Sequence, residues 1–409
     1  MKFIGDFHIH SSFAGACSKA ITLKKNEDYA KVKGIDILGT GDFQHPKWNH
    51  ILNKELTEDE NGILWSKTKF PFIWQSELSL AYTQDGKGRR VHLVVLAPGK
   101  EVVDQIIDKF TKRWRIDYDG RPIFGISCIG FTEMLMDISR DIEIIPAHNW
   151  TSFFGAMGSK GGFNSIQECF GDQFKNIHAI ETGMSSDPAM NRRISSLDKL
   201  QLVSFSDMHS FWPWRIGREA TIFDCSLKYK DIIKAIRTGK GLSGTIETDP
   251  RYGKYHEDGH RNCSVHINFK ESKKLNKICP KCKSEMTIGV EYRIEELADR
   301  ATPINVPYFK KLMPLTELIS SIYGIKQLQS KKVWEIYNTL ISNFKNEYNI
   351  LMNTKEEDLK KAVHEKLANL IIKNRENKLN INPGYDGVYG ELILDDKDKI
   401  KEQKTLTNF

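Results

Sequence analysis

The chain has 409 residues, 40% of them hydrophobic and 28% charged, with a formal net charge of +7. This length suits two or three domains with separate cores, and the composition is that of a globular protein rather than a disordered chain. There is no apolar run of about 18 residues, and the N-terminus lacks the basic and apolar succession of a signal peptide, so we expect a cytoplasmic protein that does not enter a membrane. The modest positive charge is compatible with a polyanionic partner.

Apolar runs alternate with amphipathic segments over the first 249 residues. The segments with helical periodicity are 22–33, 102–113 and 227–237. This alternation predicts an α/β fold built on a parallel barrel or sheet. Residues 84–88 have the sequence of a hairpin turn, which would make neighbours of the strands that contain Glu77 and His92.

Residue types that bind metals recur at the ends of the apolar runs. His8 and His10 follow the first run, and residues two positions apart on an extended segment point to the same side. Later runs supply the other candidates, which are Asp42, Glu77, His92, His148, Glu181, Asp207 and His209. In sheets whose strands alternate with helices, the strand ends on one face line the active site. The pattern therefore predicts a multinuclear metal centre, although a strand histidine taken alone is more often a packed core residue.

A polar stretch after the alternating part contains the last three cysteines. The spacing of a structural zinc ribbon is shown by four residues, Cys263, His266, Cys279 and Cys282. His260 has the same spacing to Cys263 and is an alternative to His266, and a loop without metal is a second alternative. The remaining cysteines are scattered singly, so we expect them to be reduced; they are Cys17, Cys128, Cys169 and Cys225.

Two amphipathic helical patterns follow the cysteines. Apolar residues recur at helical spacing over 333–351 and again over 359–371, and we interpret both stripes as a small helical core rather than a ligand groove. We therefore expect an N-terminal domain (1–249), a zinc ribbon (250–292), a helical domain (293–395) and a flexible tail (396–409).

The tail contains a short motif of its own. Gln403, Leu406 and Phe409 have the Gln-x-x-aliphatic-x-x-aromatic spacing of a sliding-clamp binding box. A free terminus can fold on binding. We therefore expect the tail to dock on a replication clamp of the archaeal type, although so short a motif also arises by chance.

The ordered set of His, Asp and Glu residues resembles the PHP superfamily of metal-dependent phosphoesterases over about residues 1–245. Within it the chain is most similar to the endonuclease Q family, DNA repair nucleases that cut on the 5′ side of deaminated bases. The segments that carry this similarity are 6–11, 39–42, 46–48, 158–165, 181–188 and 206–210. The resemblance implies a distorted (β/α)7 barrel followed by a zinc ribbon and a small α-helical region.

The resemblance also implies roles for the candidate ligands. The ligands of one ion would be His8, His10, Glu77 and Asp207. Those of a second ion, bridged by the same glutamate, would be Glu77, His92 and His148. The catalytic ligands among these would be Asp207, Glu77 and His8. Histidine and carboxylate ligands together suit zinc or manganese better than magnesium. We therefore expect two or three Zn²⁺ ions here, with Mn²⁺ or Mg²⁺ able to support activity, and one structural Zn²⁺ in the ribbon.

A third ion would be bound by His209 and Asp42, and the superfamily more often has a histidine in place of Asp42. Ala16 stands where the superfamily has another ligand of this third site. Asp42 is therefore either a ligand of altered type or a residue that orients a ligand. For Glu181, direct metal binding and orientation of a ligand histidine are both open.

The implied substrate is double-stranded DNA with a deaminated or abasic nucleotide, the deaminated bases being uracil, hypoxanthine and xanthine. Hydrolysis on the 5′ side of the lesion would leave a 3′-hydroxyl and a 5′-phosphate. A zinc module, a helical region and a positive charge fit an enzyme that grips phosphates far from the cut. The alternatives are another PHP phosphoesterase, such as a 3′ exonuclease or a histidinol-phosphate-type phosphatase, and a non-catalytic DNA-binding module.

The damaged nucleotide would be everted into a pocket beside the metals, and the loop 149–164 is the candidate wall of that pocket. Basic and aromatic residues interleave in sites that hold unpaired strands. The candidates for contact with DNA or with the base are Lys160, Phe163, Asn164, Arg193 and Trp212. The alternative is a solvated face with packed tryptophans.

Overall fold

The computed structural model describes residues 1–395 and 398–400. The strands in this part of the chain are β1 (Lys2–Asp6), β2 (Ile37–Gly39), β3 (Thr57–Glu58), β4 (Leu64–Trp65), β5 (Pro71–Gln84), β6 (Lys87–Ala97), β7 (Ile123–Phe124), β8 (Glu143–Pro146), β9 (Ala179–Glu181), β10 (Gln201–Val203), β11 (Ala220–Asp224), β12 (Leu242–Glu247), β13 (Asp258–His260), β14 (Val265–Ile267), β15 (Phe309–Lys311), β16 (Ile381–Asn382) and β17 (Glu391–Leu392).

Helices connect these strands and dominate the C-terminal third. The α-helices are α1 (Leu23–Lys33), α2 (Pro46–Glu55), α3 (Lys100–Thr111), α4 (Cys128–Met136), α5 (Ile166–Phe170), α6 (Pro188–Asn191), α7 (Tyr229–Thr238), α8 (Phe269–Lys274), α9 (Val290–Leu297), α10 (Leu315–Tyr323), α11 (Lys331–Phe344), α12 (Glu347–Met352), α13 (Glu356–Ala362) and α14 (Glu365–Arg375). The short 3₁₀ helices are Gly171–Asn176, Gly183–Ser185, Ser195–Leu197, Pro250–Tyr252 and Arg261–Cys263.

The central sheet is mixed rather than parallel. β1 pairs in parallel with β2, and β2 pairs in parallel with β5, as the alternating pattern predicts. β1 also pairs antiparallel with β11, β5 with β6 and β6 with β8. The α/β class is therefore confirmed, and the predicted parallel pairing holds for only part of the sheet. Backbone pairing within the described ranges does not close a barrel, so the (β/α)7 barrel stays a prediction.

The predicted hairpin is confirmed, and it is the longest ladder of the sheet. β5 and β6 pair from Trp74 with Ala97 to Gln84 with Lys87. Asp85 and Gly86, with φ values of 53° and 71°, form the turn between them, and two left-handed residues in succession match the twist of a tight hairpin. So short a connection can join only antiparallel strands.

Helix boundaries follow the sequence closely at α1 and less well in the C-terminal region. Thr22 caps α1 by accepting a hydrogen bond from the backbone N–H of Lys25, and Gly34 ends the helix in the left-handed conformation. The single helix predicted over 333–351 is two helices, α11 and α12. Lys345 between them has a φ of 73°, and the Asn346 side chain caps α12. The pattern over 359–371 is likewise divided between α13 and α14.

The C-terminal helices belong to the same core as the sheet. β15 adds to the sheet in parallel beside β12, and the buried apolar residues of α10 to α14 continue the core of the first 249 residues. Lys33 of α1 is buried and its ammonium lies 2.7 Å from Glu347 of α12. The antiparallel pair β13 and β14 carries a separate small core of Val265, Cys279 and Met286. No helix in the described ranges is long and apolar enough to cross a membrane.

Candidate metal centre

Four of the predicted ligands meet at the end of β1. Nitrogen and oxygen atoms of His8, His10, Glu77 and Asp207 lie within 4.8 Å of one another. His10 Nε2 is 3.0 Å from Glu77 Oε2 and 3.2 Å from Asp207 Oδ1. His8 Nε2, His10 Nε2 and Asp207 Oδ1 are buried, yet none of them makes a hydrogen bond. Buried polar atoms are normally hydrogen-bonded, so this arrangement fits atoms that share a cation.

A second cluster adjoins the first through Glu77. It consists of Glu77, His92 and His148. Glu77 Oε1 is 2.7 Å from His92 Nδ1 and 3.1 Å from His148 Nε2, while Oε2 of the same carboxylate faces the first cluster. Glu77 thus offers one oxygen to each cluster, which is the arrangement of a carboxylate that bridges two ions. The imidazole and carboxylate set suits zinc or manganese.

Backbone contacts bring distant parts of the chain to this point. Asp6 accepts hydrogen bonds from the backbone N–H groups of Ser206 and Gly217, at 2.9 and 3.1 Å. The backbone N–H of His10 donates to the carbonyl of Met208 at 3.3 Å. The segments that contain His10 and Asp207 therefore lie side by side although about 200 residues separate them.

Three candidate residues have a left-handed backbone conformation. Asp42, His148 and Asp207 have φ values of 39°, 31° and 46°. This conformation is uncommon for residues other than glycine and costs on the order of 1–3 kcal/mol when the surrounding structure imposes it. Its occurrence at three candidate positions indicates that the fold holds these side chains for a purpose other than stability.

Two carboxylates contact His8 and His10 at the ring nitrogen that faces away from Glu77. Glu181 Oε1 is 3.0 Å from His8 Nδ1, and its other oxygen accepts a hydrogen bond from the backbone N–H of His148 at 2.5 Å. Asp42 Oδ1 is 3.0 Å from His10 Nδ1, and Oδ2 accepts from the backbone N–H of Ser11 at 2.7 Å. Of the two possibilities for Glu181 and Asp42, the structure favours orientation of a ligand.

The expected third metal site does not form as a cluster among the described residues. Asp42 and His209 belong to neither ligand group. Both oxygens of Asp42 are engaged by His10 and Ser11, and His209 Nδ1 lies 2.9 Å from the backbone carbonyl of Asp207. The structure therefore does not group Asp42 and His209 with further ligands, and their assignment to a third site stays a prediction.

The charges of the site keep its carboxylates ionised. Burial opposes ionisation of Glu77, but the charges of His92 and Arg121 outweigh it and hold the pKa of Glu77 well below its usual range. Burial likewise opposes ionisation of Asp207, and His209 and His8 hold its pKa well below the usual range. Burial lowers the pKa of His92 to about 4, whereas for His8 and His10 the surrounding carboxylates outweigh burial and raise the pKa well above the usual range. Anionic carboxylates and a neutral imidazole are the forms that bind a metal.

Arg121 is a residue of the site that sequence reasoning missed. Its Nη1 donates to Glu77 Oε2 at 2.9 Å, and the carboxylate raises the pKa of the guanidinium further. Arg121 lies in the connection between α3 and β7, where no spacing relates it to the ligand residues. Only the folded chain shows that this cation faces the bridging carboxylate.

A cavity of about 290 Å³ opens beside the metal centre. Its floor includes His92, His148, Asp207 and Arg121. Thr151 and Phe154 come from the predicted loop, and Phe154 stacks on the ring of His92 with centroids 4.3 Å apart. The opposite walls, which the sequence did not indicate, come from Gly183, Met184, Ser185, Pro250, Gly253, Lys254, Tyr255, His256 and Tyr389.

Most of the predicted DNA contacts are engaged inside the protein. Phe163 is buried under the guanidinium of Arg89, 3.9 Å from its ring centre, and the Trp212 ring stacks on Trp214 with centroids 5.3 Å apart. Phe163 is therefore packed inside the protein, whereas Trp212 is only partly buried and its contact with DNA stays a prediction.

The polar residues among the predicted DNA contacts differ in their exposure and in their partners within the protein. Arg193 forms an ion pair with Glu295, and the Asn164 side chain accepts a hydrogen bond from Arg293 at 2.8 Å. Lys160 is exposed and stays a candidate. The clamp-binding motif of Gln403, Leu406 and Phe409 lies outside the described residues, as does most of the predicted tail.

The cysteine-rich region forms a third ligand cluster, made of His260, Cys263, Cys279 and Cys282. His260 Nδ1 lies 3.1 Å from Cys282 Sγ. Hydrogen bonds from Ser284 lower the pKa of the Cys282 thiol to about 6, which favours the thiolate that binds a metal.

His266, the histidine named first for this cluster, lies outside it. Its Nδ1 is 3.1 Å from Glu257 Oε2, and its ring stacks on Tyr385 with centroids 4.8 Å apart. The register of the β13 and β14 pair explains the difference. His260 is opposite Val265, so the next residue, His266, points to the other face of the ribbon. The correct alternative in this structure is His260.

Known proteins resemble this chain over its whole length. The crystal structure of the lesion-specific endonuclease PfuEndoQ from Pyrococcus furiosus superposes with a TM-score of 0.86 and 31% identity, covering 97% of this chain and 96% of that one. The crystal structure of endonuclease Q in complex with a 27-mer duplex substrate that has an abasic lesion at the active site gives a TM-score of 0.87 and 31% identity, covering 99% and 100% of the two chains.

Two further similarities are partial. An uncharacterized protein, MJ0043 of Methanocaldococcus jannaschii, is 34% identical over 251 residues, which are 59% of this chain and 30% of that protein. Residues 314–378, from α10 to α14, match the domain family described as the MJ0043 C-terminal domain. The C-terminal helices are thus a recognised domain type as well as part of the common core.

Proposed function

This chain belongs to the endonuclease Q family of metal-dependent endonucleases, and we propose that it cuts duplex DNA on the 5′ side of deaminated or abasic nucleotides. The products are a 3′-hydroxyl and a 5′-phosphate. The observation that carries the proposal is the pair of ligand clusters that share Glu77 at the floor of an open cavity. The endonuclease Q complex with a duplex that has an abasic lesion supports duplex DNA as the substrate.

In this proposal His8, His10, Asp207 and Glu77 would hold one divalent ion, and Glu77, His92 and His148 would hold a second. Bound there, Zn²⁺ or Mn²⁺ supplies positive charge to the phosphate and an acidic water molecule at neutral pH. The chain's own contribution is to keep the ligand atoms in place before substrate arrives. Glu181 fixes the ring of His8 and Asp42 that of His10, so their Nε2 atoms face Glu77.

Arg121 provides a fixed positive charge at the same floor. It lines the cavity and lies 2.9 Å from the bridging carboxylate, so it is close to the phosphate of any strand that reaches Glu77. A guanidinium can donate two parallel hydrogen bonds to phosphate oxygens. In the proposed reaction Arg121 positions the phosphodiester and offsets the charge that develops on its oxygens.

The cavity receives the damaged nucleotide after it leaves the base stack. Enzymes that act on one nucleotide of a duplex extrude it into such a pocket, and lesions that weaken pairing are extruded at lower cost. Phe154, Tyr255 and Tyr389 give this cavity aromatic walls beside the metal centre. Uracil and hypoxanthine have a carbonyl next to a ring N–H, which distinguishes their polar edge from that of cytosine or adenine.

The cysteine-rich region supports the cavity from the far side. Lys254, Tyr255 and His256 lie just before Glu257 and β13, and β13 ends at His260 of the cysteine-rich ligand cluster. His260, Cys263, Cys279 and Cys282 would hold a structural Zn²⁺, which would stabilise the segment that forms this wall of the cavity. Docking on a sliding clamp through Gln403, Leu406 and Phe409 stays a prediction from the sequence.

Duplexes with one defined lesion test the proposal. Metal-replete protein is incubated with end-labelled duplexes that contain uracil, hypoxanthine, xanthine, an abasic site or no lesion, with and without chelator. We expect a single nick 5′ to each lesion, none in the intact duplex, and none after chelation. Hydrolysis of a small phosphomonoester with every duplex left uncut would instead show a phosphatase. DNA binding without nicking, unchanged by Asp207→Asn, would show a non-catalytic module.

A further inference from the structure

Two polar side chains in the cavity have no partner within the protein. Nδ1 of His256 and Oγ of Ser185 are buried and make no hydrogen bond, and both residues line the cavity. A buried polar atom without a partner costs free energy unless water or a ligand satisfies it. Neither residue belongs to a metal-ligand cluster, so these atoms are available to another molecule.

His256 is held rigidly in a neutral form. Its backbone N–H donates to the carbonyl of Gly384 at 3.1 Å, and its carbonyl accepts from the N–H of Glu291 at 3.0 Å. Burial lowers the pKa of its side chain to about 4, so the imidazole carries no charge near pH 7. The Nδ1 atom of a neutral imidazole is a donor or an acceptor according to the tautomer, so it can make one hydrogen bond to the edge of a nucleobase.

His256 also lines the same cavity as residues of the candidate metal centre. The cavity that it lines extends to Asp207 and His148 at the metal centre and passes the aromatic rings of Tyr255 and Tyr389. A nucleotide whose phosphate lies at the metal centre would therefore extend its base into the cavity that His256, Tyr255 and Tyr389 line. Stacking on aromatic rings is tolerant of base identity, so a polar group is needed to select among bases.

We propose that His256 is a specificity residue that hydrogen-bonds the polar edge of the everted base, with the Ser185 hydroxyl as a second contact. This inference rests on the proposed function and deepens it. An abasic nucleotide has no base edge, so its cleavage does not use His256. The enzyme then has two classes of substrate that share the metal centre and differ in their need for this histidine.

The test compares two variants on three matched duplexes. His256→Leu removes the polar ring at similar size, and His256→Asn keeps a donor and an acceptor near the position of Nδ1. His50→Leu, at an exposed histidine of α2 outside the cavity, is the control. Single-turnover rates and KM values are measured on duplexes that contain uracil, hypoxanthine or a tetrahydrofuran analogue of an abasic site. Thermal unfolding of each variant checks that the fold is retained.

We expect His256→Leu to lower kcat/KM on uracil and hypoxanthine by about 10- to 100-fold, the effect of leaving a buried hydrogen-bonding group unpaired. Cleavage of the abasic analogue should stay within about twofold of wild type, and His256→Asn should recover most of the activity on uracil. An equal loss on all three duplexes would show a structural role and overturn the proposal, as would no loss on any. A wild-type protein that cuts the abasic duplex but neither base-containing lesion would overturn the specificity role while leaving the nuclease function intact.

Discussion

Glu181 holds His8 by the ring nitrogen opposite to the one that faces the metal centre. Its Oε1 is 3.0 Å from His8 Nδ1, and both side chains are fully buried. The contact fixes the tautomer and the orientation of the imidazole, and a carboxylate partner makes the other nitrogen a better donor to a metal. The same carboxylate accepts from the backbone of His148, so Glu181 connects ligands of the two clusters.

Replacement of this carboxylate should weaken metal binding without changing a ligand. We expect Glu181→Gln to lower metal affinity or cleavage by about 10- to 100-fold, because the amide is a weaker partner for His8. The measurement is metal retention during titration with a competing chelator, together with the nicking rate. Unchanged affinity would show that Glu181 serves only the backbone of this region.

Loss of a ligand should separate catalysis from DNA binding. We expect Asp207→Asn to reduce nicking on the order of 10²–10³-fold, because the first cluster loses an anionic oxygen. Equilibrium binding to a lesion duplex should change little, since phosphates far from the cut supply most of the affinity. Loss of binding in parallel with loss of nicking would place Asp207 in the DNA grip instead.

The two ribbon histidines form a matched pair for a zinc assay. We expect His260→Ala to lose the structural zinc and to lower both the unfolding temperature and DNA affinity, as Cys279→Ser should. His266→Ala should keep the zinc, because His266 contacts Glu257 and Tyr385 instead of the cysteines. Zinc content is measured after extensive dialysis. The opposite result for the two histidines would show that His266, and not His260, binds the zinc.

Alanine variants of two glycines with left-handed backbones can distinguish backbone strain from displacement of a candidate metal ligand. Gly183 has a φ of 61°, and a Cβ there would lie 2.8 Å from the Cβ of His148, whereas Gly86, with a φ of 71°, has open space around it. We expect Gly183→Ala and Gly86→Ala each to lower the free energy of unfolding by about 1 kcal/mol or more. Only Gly183→Ala should also lower metal content and cleavage. Equal activity of the two variants would contradict the inferred contact.

A buried carboxylate pair should make stability depend on pH. Glu219 Oε2 and Glu247 Oε2 both accept from the hydroxyl of Ser204, at 2.8 and 3.2 Å. Burial raises the pKa of Glu219 to about 8, and burial together with Glu219 raises that of Glu247 well above its usual range. The pair therefore retains a proton in the folded protein that it loses in the unfolded chain.

The direction of the pH effect on stability follows from these raised pKa values. Between about pH 4.5 and 8 the folded state binds more protons than the unfolded state, so the contribution of the pair to stability is complete below that window and is lost as pH rises through it. Glu247→Gln should flatten the fall, as measured by denaturant unfolding at several pH values. A wild type and a variant with the same pH dependence would show that the pair does not share a proton.

Local sequence patterns are sufficient to predict part of this structure. His8, His10, Glu77 and Asp207 can be selected because each follows an apolar run, and the ends of such runs converge in the folded sheet. The hairpin is predictable because its turn at Asp85 and Gly86 has a defined chemistry. These features depend on a few neighbouring residues.

Other features depend on contacts between distant segments. The choice of His260 over His266 depends on the register of two strands, and a shift by one residue would reverse it. Arg121 and Tyr389 reach the cavity from connections that have no periodic pattern. The break between α11 and α12 interrupts an apolar stripe that continues through it, so the capping side chain of Asn346 decides the boundary.

The pairing of β15 with β12 limits which fragments of this protein can be expressed on their own. β15 lies about 60 residues beyond the end of the N-terminal segment, yet it covers the margin of the central sheet. A fragment that stops at residue 249 would present the unpaired N–H and C=O groups of β12 to solvent and to other molecules, which is a template for aggregation. We therefore expect that a fragment containing the metal centre needs the downstream strand β15 to remain soluble.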